Sequence, residues 1–351
     1  MIWMTYSVKS PRSLKSHEGD KMKEYLLPKD GFRVLFFIGK GGVGKTTSAA
    51  ATSIALSRSG YKTLIVSIDP AHNLGDVLMV KLNDKPRKIL ENLYAMELDM
   101  EGLIQSYLKH LEKNLKHMYR YLTVINLEKY FEILRFSPGI EEYATLEAIR
   151  EILMDGEEWD VVVFDTPPTG LTLRVLALPR ISLIWTDKLI DIRRKILERR
   201  KAIEKIHGER KFIVEGREYK LPSDEKEDSV MKELKKYRKE IEFVHKVITN
   251  PKKTTIVAVM NPEMLPLYET ERAYESLNRF KIPFRLIIIN KVLELEKVPP
   301  KLKVKIEAQK RVLELTTSKF IGVDLVKIPM FEEEPRGLEW LERIGGIIVG
   351  T

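Results

Sequence analysis

Nine consecutive residues, Gly39-Lys40-Gly41-Gly42-Val43-Gly44-Lys45-Thr46-Thr47, have the spacing of a loop that wraps a polyphosphate. Its glycines let successive backbone amides face the phosphate oxygens, and the helix that follows adds the positive end of its dipole. Lys45 is placed to reach the β- and γ-phosphates, and the Thr46 hydroxyl to enter a Mg²⁺ shell. Three further sites can serve the same ligand. Asp69, in Asp69-Pro-Ala-His-Asn-Leu-Gly-Asp76, can orient or deprotonate an attacking water, with Asn73 within reach of phosphate. Capping of the next helix is an equal reading of Asp69 taken alone, and His72 reads as a structural polar contact. Asp165 ends Val161-Val-Val-Phe164 and opens Asp165-Thr-Pro-Pro-Thr-Gly170, the position of a carboxylate that holds the magnesium shell. Asn290, followed by Lys291, has both a donor and an acceptor for an adenine edge.

These residues share a context. Arg33–Ile38, Lys62–Ile68, Asp160–Phe164, Thr254–Met260 and Phe284–Ile289 are short apolar runs rich in strand formers. Runs apolar on both faces fit a mostly parallel α/β sheet flanked by helices, the first of them Thr47–Gly60. A ligand then lies at the carboxyl ends of the strands, where all the candidate residues fall. Residues 1–30 read as a loose tail and 31–351 as one domain. Two charged, helical stretches, at about 101–136 and 180–250, interrupt the sheet and are expected to form an inserted helical subdomain, with a small β-hairpin in Lys211–Leu221. The segment Gly337–Thr351 reads as a short last helix on the sheet, ended by Gly345-Gly346.

Composition excludes several chemistries. The 351 residues include no cysteine, which removes disulfides, thiolate nucleophiles, iron–sulfur clusters and thiolate sites for zinc or arsenite. Residues 180–253 hold 22 Lys and Arg against 14 Asp and Glu, eight of the chain's nine excess positive charges. Acids alternate with bases throughout, so solvated helix faces are the expected reading, a basic docking face the other. No run is long and apolar enough to span a bilayer, and the N-terminus lacks the apolar core of a signal peptide. A cytoplasmic protein with no integral membrane segment, and with no nucleic acid among its partners, is expected.

Taken in order, the motifs resemble those of the ArsA-type ATPases, the arsenite-pump-driving and tail-anchored-protein-targeting branch of the P-loop NTPases with a second loop lysine. The resemblance runs from about Val34 to the C-terminus, on Lys40–Thr47, Asp69–Asp76, Ser137–Glu142, Asp165–Arg174, Leu267–Arg272, Asn290-Lys291 and Ile328–Gly337. It implies a Mg-ATP hydrolase that works as a homodimer closing on ATP. Asp69 would position the water, Lys40 would reach the partner's nucleotide, and the loop containing Pro329 and Phe331 would hold adenine. It further implies a client, a hydrophobic membrane-protein segment or a membrane-associated partner, taken by the helical subdomain. The chain departs from the pattern at Pro300 and Lys303, where targeting members carry a zinc-sharing cysteine pair, so no zinc is expected. It departs also at Pro167 and Leu171 in the second switch, and in having only Met231 as methionine between 180 and 253. Leu103, Ile104, Leu108, Leu111 and Leu115, with Leu122, Ile125 and Leu127, could line a client groove, but their spacing suits ordinary core. A partner-regulating relative without client binding and a membrane- or DNA-positioning ATPase are the alternatives, and an arsenite-pump driver is disfavoured for want of cysteine.

Overall fold

The computed structural model describes residues 24–29, 31–70, 73–118, 133–155, 158–208, 211–214, 217–220, 222–295 and 299–350. His72, Leu122, Ile125, Leu127 and most of residues 1–30 lie outside these. The chain divides into two compact units, residues 1–99, 154–173 and 247–351 forming one and residues 100–153 and 174–246 the other.

The first unit is built on one sheet. The expected strands are β1 (Arg33–Ile38), β2 (Thr63–Ser67), β5 (Val161–Asp165), β8 (Thr254–Met260) and β9 (Phe284–Val292). Each is an apolar run because both of its faces are covered, and β1, β2, β5 and β8 are buried along their whole length. Three further strands were not evident as apolar runs: β3 (Arg87–Lys88), β4 (Leu93–Glu97) and β10 (Asp324–Pro329). They complete an eight-stranded sheet of order β10-β9-β8-β1-β5-β2-β4-β3, parallel except for the β3–β4 pair. Two residues of length suit β3 to one edge, and charged residues with a closing proline suit β10 to the other, where a long apolar strand would recruit other chains. Phe37 of β1 and Ser67 of β2 both stand opposite Asp165 of β5, so the central strands end level with one another.

Helix α1 (Lys45–Arg58) follows the glycine loop, and the last helix, here α9 (Gly337–Val349), packs beside it through Leu341, Ile344 and Ile348 in the main core. The helix does not stop at Gly345-Gly346 as expected; it runs on to Val349. A β-carbon on Gly345 would stand 2.5 Å from the Ala51 carbonyl oxygen, so this glycine is the point where two helix backbones touch. Arg58 on α1 donates to Glu342 at 2.8 Å across the same seam.

The second unit is helical. It contains most of α3 (Met100–Met118) and α4 (Ile140–Met154), the bulk of α5 (Thr169–His207) and α6 (Ser229–Thr249), and the antiparallel hairpin of β6 (Lys211–Val214) and β7 (Arg217–Lys220). Ile104 and Leu108 on α3 are buried against Ala144 of α4, with Leu103 and Leu111 packed around them, so these residues are core and line no groove. Several charges of α5 and α6 are answered by acids nearby, two of them on the segment just before α6. Arg193 meets Asp228 at 2.6 Å, Arg194 and Lys235 share Glu225, and Arg238 bridges Asp187 and Glu242.

Gly345→Val should lower stability to urea by about 1–3 kcal/mol, the usual range for overpacking a tight seam. An unchanged denaturation midpoint would show that α9 is free to shift away from α1.

Candidate functional site

The sheet delivers the candidate residues to one end. Beyond Ile38 the chain turns through the glycine loop, and Gly44, with φ of +92°, leads into α1. A side chain there would be strained by that φ, and a β-carbon would lie 2.2 Å from the Asn290 amide nitrogen. Helix α1 then begins with Lys45 and Thr46, which point back at the strand ends.

Lys45 is 6% exposed and carries the site's central charge. Its ammonium donates to Asp69 Oδ2 at 2.7 Å and to the Thr166 carbonyl, and lies 3.4 Å from Asp165 Oδ1. Asp165 is fully buried at the end of β5. Its Oδ2 accepts from the Thr46 hydroxyl at 2.8 Å and from Ser67 at 3.4 Å, whereas Oδ1 is buried without a hydrogen bond. Burial pushes this carboxyl's pKa up; the Lys45 charge and the Thr46 hydroxyl pull it down, and Asp69 adds to the upward push. Thr166, next in the chain, is fixed by donating to the Phe37 carbonyl at 2.6 Å.

This constellation fits a hard cation. A hydroxyl oxygen and a buried carboxylate with one uncommitted oxygen are the oxygen donors that Mg²⁺ takes when substrate phosphates and water supply the rest. No cluster of three or more His, Cys, Asp or Glu exists among the described residues.

The remaining candidates stand as follows. Asn290 ends the buried part of β9 and donates to the Val43 carbonyl at 2.8 Å, while its own oxygen accepts the Lys291 amide at 2.9 Å. Lys291, with φ of +57°, reaches the Gly42 carbonyl at 3.1 Å. In this structure both residues brace the phosphate loop; Asn290 retains one N–H for any base edge. Asn73 is exposed at the start of α2 (Leu74–Leu78), and its carbonyl accepts the Val77 amide at 3.0 Å; its side chain makes no cap. Lys40 is half-exposed and lies 3.5 Å from Glu269 on α7 (Met264–Arg279). Pro329 ends β10, and Phe331 stacks edge-on against Trp340 of α9 at 5.3 Å. Gly39, Gly41, Gly42, Val43 and Thr47 complete the loop and the first turn of α1.

Three residues of this end were missed in the sequence. Ser67 touches Asp165, and a polar residue closing an apolar strand was its only signal. Glu97, at the end of β4, accepts the Gly75 amide at 2.9 Å and so ties down the segment after Asp69, but β4 itself was not recognised. Glu269 lies within Leu267–Arg272, a segment noticed without a chemical role.

Lys45→Ala is expected to abolish the protection that Mg-ATP gives against heat and protease. Gly44→Ala should do the same by displacing Asn290 and the loop. Wild-type protection in either variant would place the polyphosphate elsewhere.

The comparisons with known proteins agree with the arrangement. Residues 32–350 match the family model described as anion-transporting ATPase. The chain is 34% identical over 312 residues to the Aquifex aeolicus protein named "Putative arsenical pump-driving ATPase 2", covering 88% of this chain and 97% of that one. It is 30% identical to "ATPase ASNA1 homolog 1" of Paramecium tetraurelia, with 88% and 90% covered, and 30% identical to "ATPase get3" of Pyrenophora tritici-repentis, with 92% and 93% covered. With its α/β sheet, its glycine loop and these relatives, the chain belongs to the anion-transporting ATPase family, ArsA-type, and is an ATPase.

Proposed function

We propose that the chain spends ATP in a dimeric open–closed cycle that captures and releases an apolar client, a membrane-protein segment being the best fit. The observation that carries this reading is an apolar stripe on α5 that stays exposed among the described residues. Ile181, Ile184, Trp185, Leu189, Ile192, Ile196, Ile203 and Ile206 are each between 38% and 76% exposed. Their spacing of three, four and seven residues keeps them near one face, while Ile190 and Leu197 are buried on another. From Ile181 to Ile206 the stripe measures about 38 Å along the helix axis, against about 30 Å for the apolar part of a membrane-spanning helix. Aliphatic side chains here stand in for the methionines that the segment lacks, and one tryptophan widens the face.

The relatives' names go only as far as an ATPase: one is called an arsenical pump-driving ATPase, and the other two are named as ATPases with no client stated. The absence of cysteine weighs against an arsenical role. No helix among the described residues is long and apolar enough to cross a membrane. We place it in the cytoplasm on that reading.

In the chemistry we infer, Lys45 binds the β- and γ-phosphates, Asp69 orients the water and accepts its proton, and Thr46 with Asp165 holds the magnesium. When bound, Mg²⁺ neutralises charge on the phosphoryl group. Lys40 leaves Glu269 to reach the partner's nucleotide; a half-exposed pair at 3.5 Å holds it only weakly, so little opposes release. Asn290, Pro329 and Phe331 bound the adenine side.

Asp69→Asn should bind ATP yet hydrolyse it about 10²–10⁴-fold more slowly, the span expected for loss of a general base. Lys40→Ala should keep nucleotide affinity while losing the ATP-dependent dimer in light scattering, and normal dimerisation would remove the inter-subunit role. Co-expressed with a tail-anchored protein, Asp69→Asn should form a soluble complex of defined mass. Aspartate at Ile184 and Ile192 should dissolve that complex with ATPase activity intact. A client left insoluble in ATP and Mg²⁺ would point to a partner-regulating relative instead.

A further inference from the structure

The exposed face of α5 carries more than its apolar stripe. At about 100° per residue, the eight exposed apolar residues from Ile181 to Ile206 fall within an arc of about 140°, bounded by Ile184 on one side and Leu189 on the other. Lys188, Lys195 and Arg199 lie in the same arc, and all three are exposed. Their spacings of seven and four residues set them in one row about 17 Å long.

No acid of the helix falls inside the arc. Asp191 and Glu198 stand about 20° and 40° outside it, and Asp191 is already engaged by Arg194 at 3.0 Å. Asp187 is taken by Arg238 of α6 at 2.6 Å. Among the described residues no carboxylate pairs with any cation of the row; the acids beside α5 meet Arg193, Arg194, Lys201, Lys235 and Arg238 instead. The opposite side of α5 is the one that packs, through Ser182, Thr186, Ile190 and Leu197. Bases and acids that alternate along the sequence are therefore sorted by the helix, with cations alone set among the apolar residues.

Such a face suits a surface that is apolar and anionic at once. An uninterrupted apolar segment laid along the row would bury three charges with no counter-charge, which is expensive. A bilayer surface supplies both partners. Acyl chains receive the isoleucines, and lipid phosphates answer Lys and Arg heads whose long stems reach from the apolar level to the headgroups. Trp185, 65% exposed in the same arc, has the amphipathic ring favoured at that depth.

We propose that this face of α5 docks flat on an anionic membrane surface, with its isoleucines and Trp185 entering the boundary between headgroups and acyl chains while Lys188, Lys195 and Arg199 hold lipid phosphates. The inference goes beyond client capture and does not depend on it, since the row of cations has no use against a purely apolar segment. Both uses draw on one stripe, so docking and client retention exclude each other at any moment.

The test floats the full chain, without client, with phosphatidylcholine vesicles that contain or lack phosphatidylglycerol. The expected result is recovery with the anionic vesicles alone, falling as salt is raised, because attraction to the surface is screened. Lys188→Gln, Lys195→Gln and Arg199→Gln combined should weaken vesicle binding about fivefold per cation, on the order of 10²-fold in all. Melting temperature and ATPase activity should stay at the wild-type level. Should the triple variant melt early, Lys195→Gln alone takes its place, with a loss of about fivefold expected. Trp185→Ser should weaken binding while leaving its salt dependence in place. Equal recovery on both vesicle types, no recovery on either, or recovery unchanged in the triple variant and in Lys195→Gln would overturn the proposal. So would a triple variant that floats like the wild type yet no longer holds a tail-anchored protein, because the cations would then read acids in the client. The vesicle assay contains no client, so failure of client capture leaves its result standing.

Discussion

Lys45 brings a positive charge to a place that water hardly reaches, and the level ends of β1, β2 and β5 exist to receive it. Two carboxylates and a backbone carbonyl surround the ammonium, and none of them is tolerable there alone. Burial drives the Asp165 carboxyl toward its neutral form and the Lys45 charge opposes that push, while the lysine's buried charge is answered by the two acids. This mutual dependence explains the register of the central strands. Asp165 must end β5 opposite Phe37 and Ser67 for its oxygens to meet Thr46 and Lys45 at the first turn of α1. The continuous apolar runs and the seam of α1 with α9 at Gly345 can be seen as the means of holding that turn still.

The same requirement shows how far the sequence could be read. The central strands were legible because burial on both faces leaves long apolar runs, and the loop because phosphate binding demands glycines at fixed spacing. The edge strands β3 and β10 were not, because β3 is two charged residues and β10 breaks its apolar positions with Asp324, Lys327 and Pro329, which read as loop. Nor was the continuation of α9 through two glycines, since local propensity disfavours it and only the close approach to Ala51 explains it. Within the site, Lys45, Thr46, Asp69 and Asp165 could be named because each sits at a strand end or on the loop. The bracing of the loop by Asn290 joins residues 247 apart in the chain, a contact no local pattern carries. Glu97 and Glu269 went unnoticed for the same reason.

The helical unit offers a contrast. Leu103, Leu108 and Leu111 on α3 have the spacing of a groove and pack in or against a core cluster, whereas the exposed apolar face lies on α5 amid a segment whose composition is dominated by charge. Ion pairs such as Arg193 with Asp228 occupy the flanks of that helix and leave the stripe bare. Average composition therefore hid the feature, because a helix can be strongly charged overall and still present one dry face.

The contact between Lys45 and Asp69 also shapes which anions the loop can hold. The lysine's charge is answered from within the chain at 2.7 Å. An incoming anion must offer more than that carboxylate does before the pair will part. Chloride or a lone phosphate meets only part of the loop, whereas a triphosphate brings several oxygens to the amides at once and repays the separation. On the proposed role of the loop, the internal pair would act as a threshold that favours polyphosphates over simple anions.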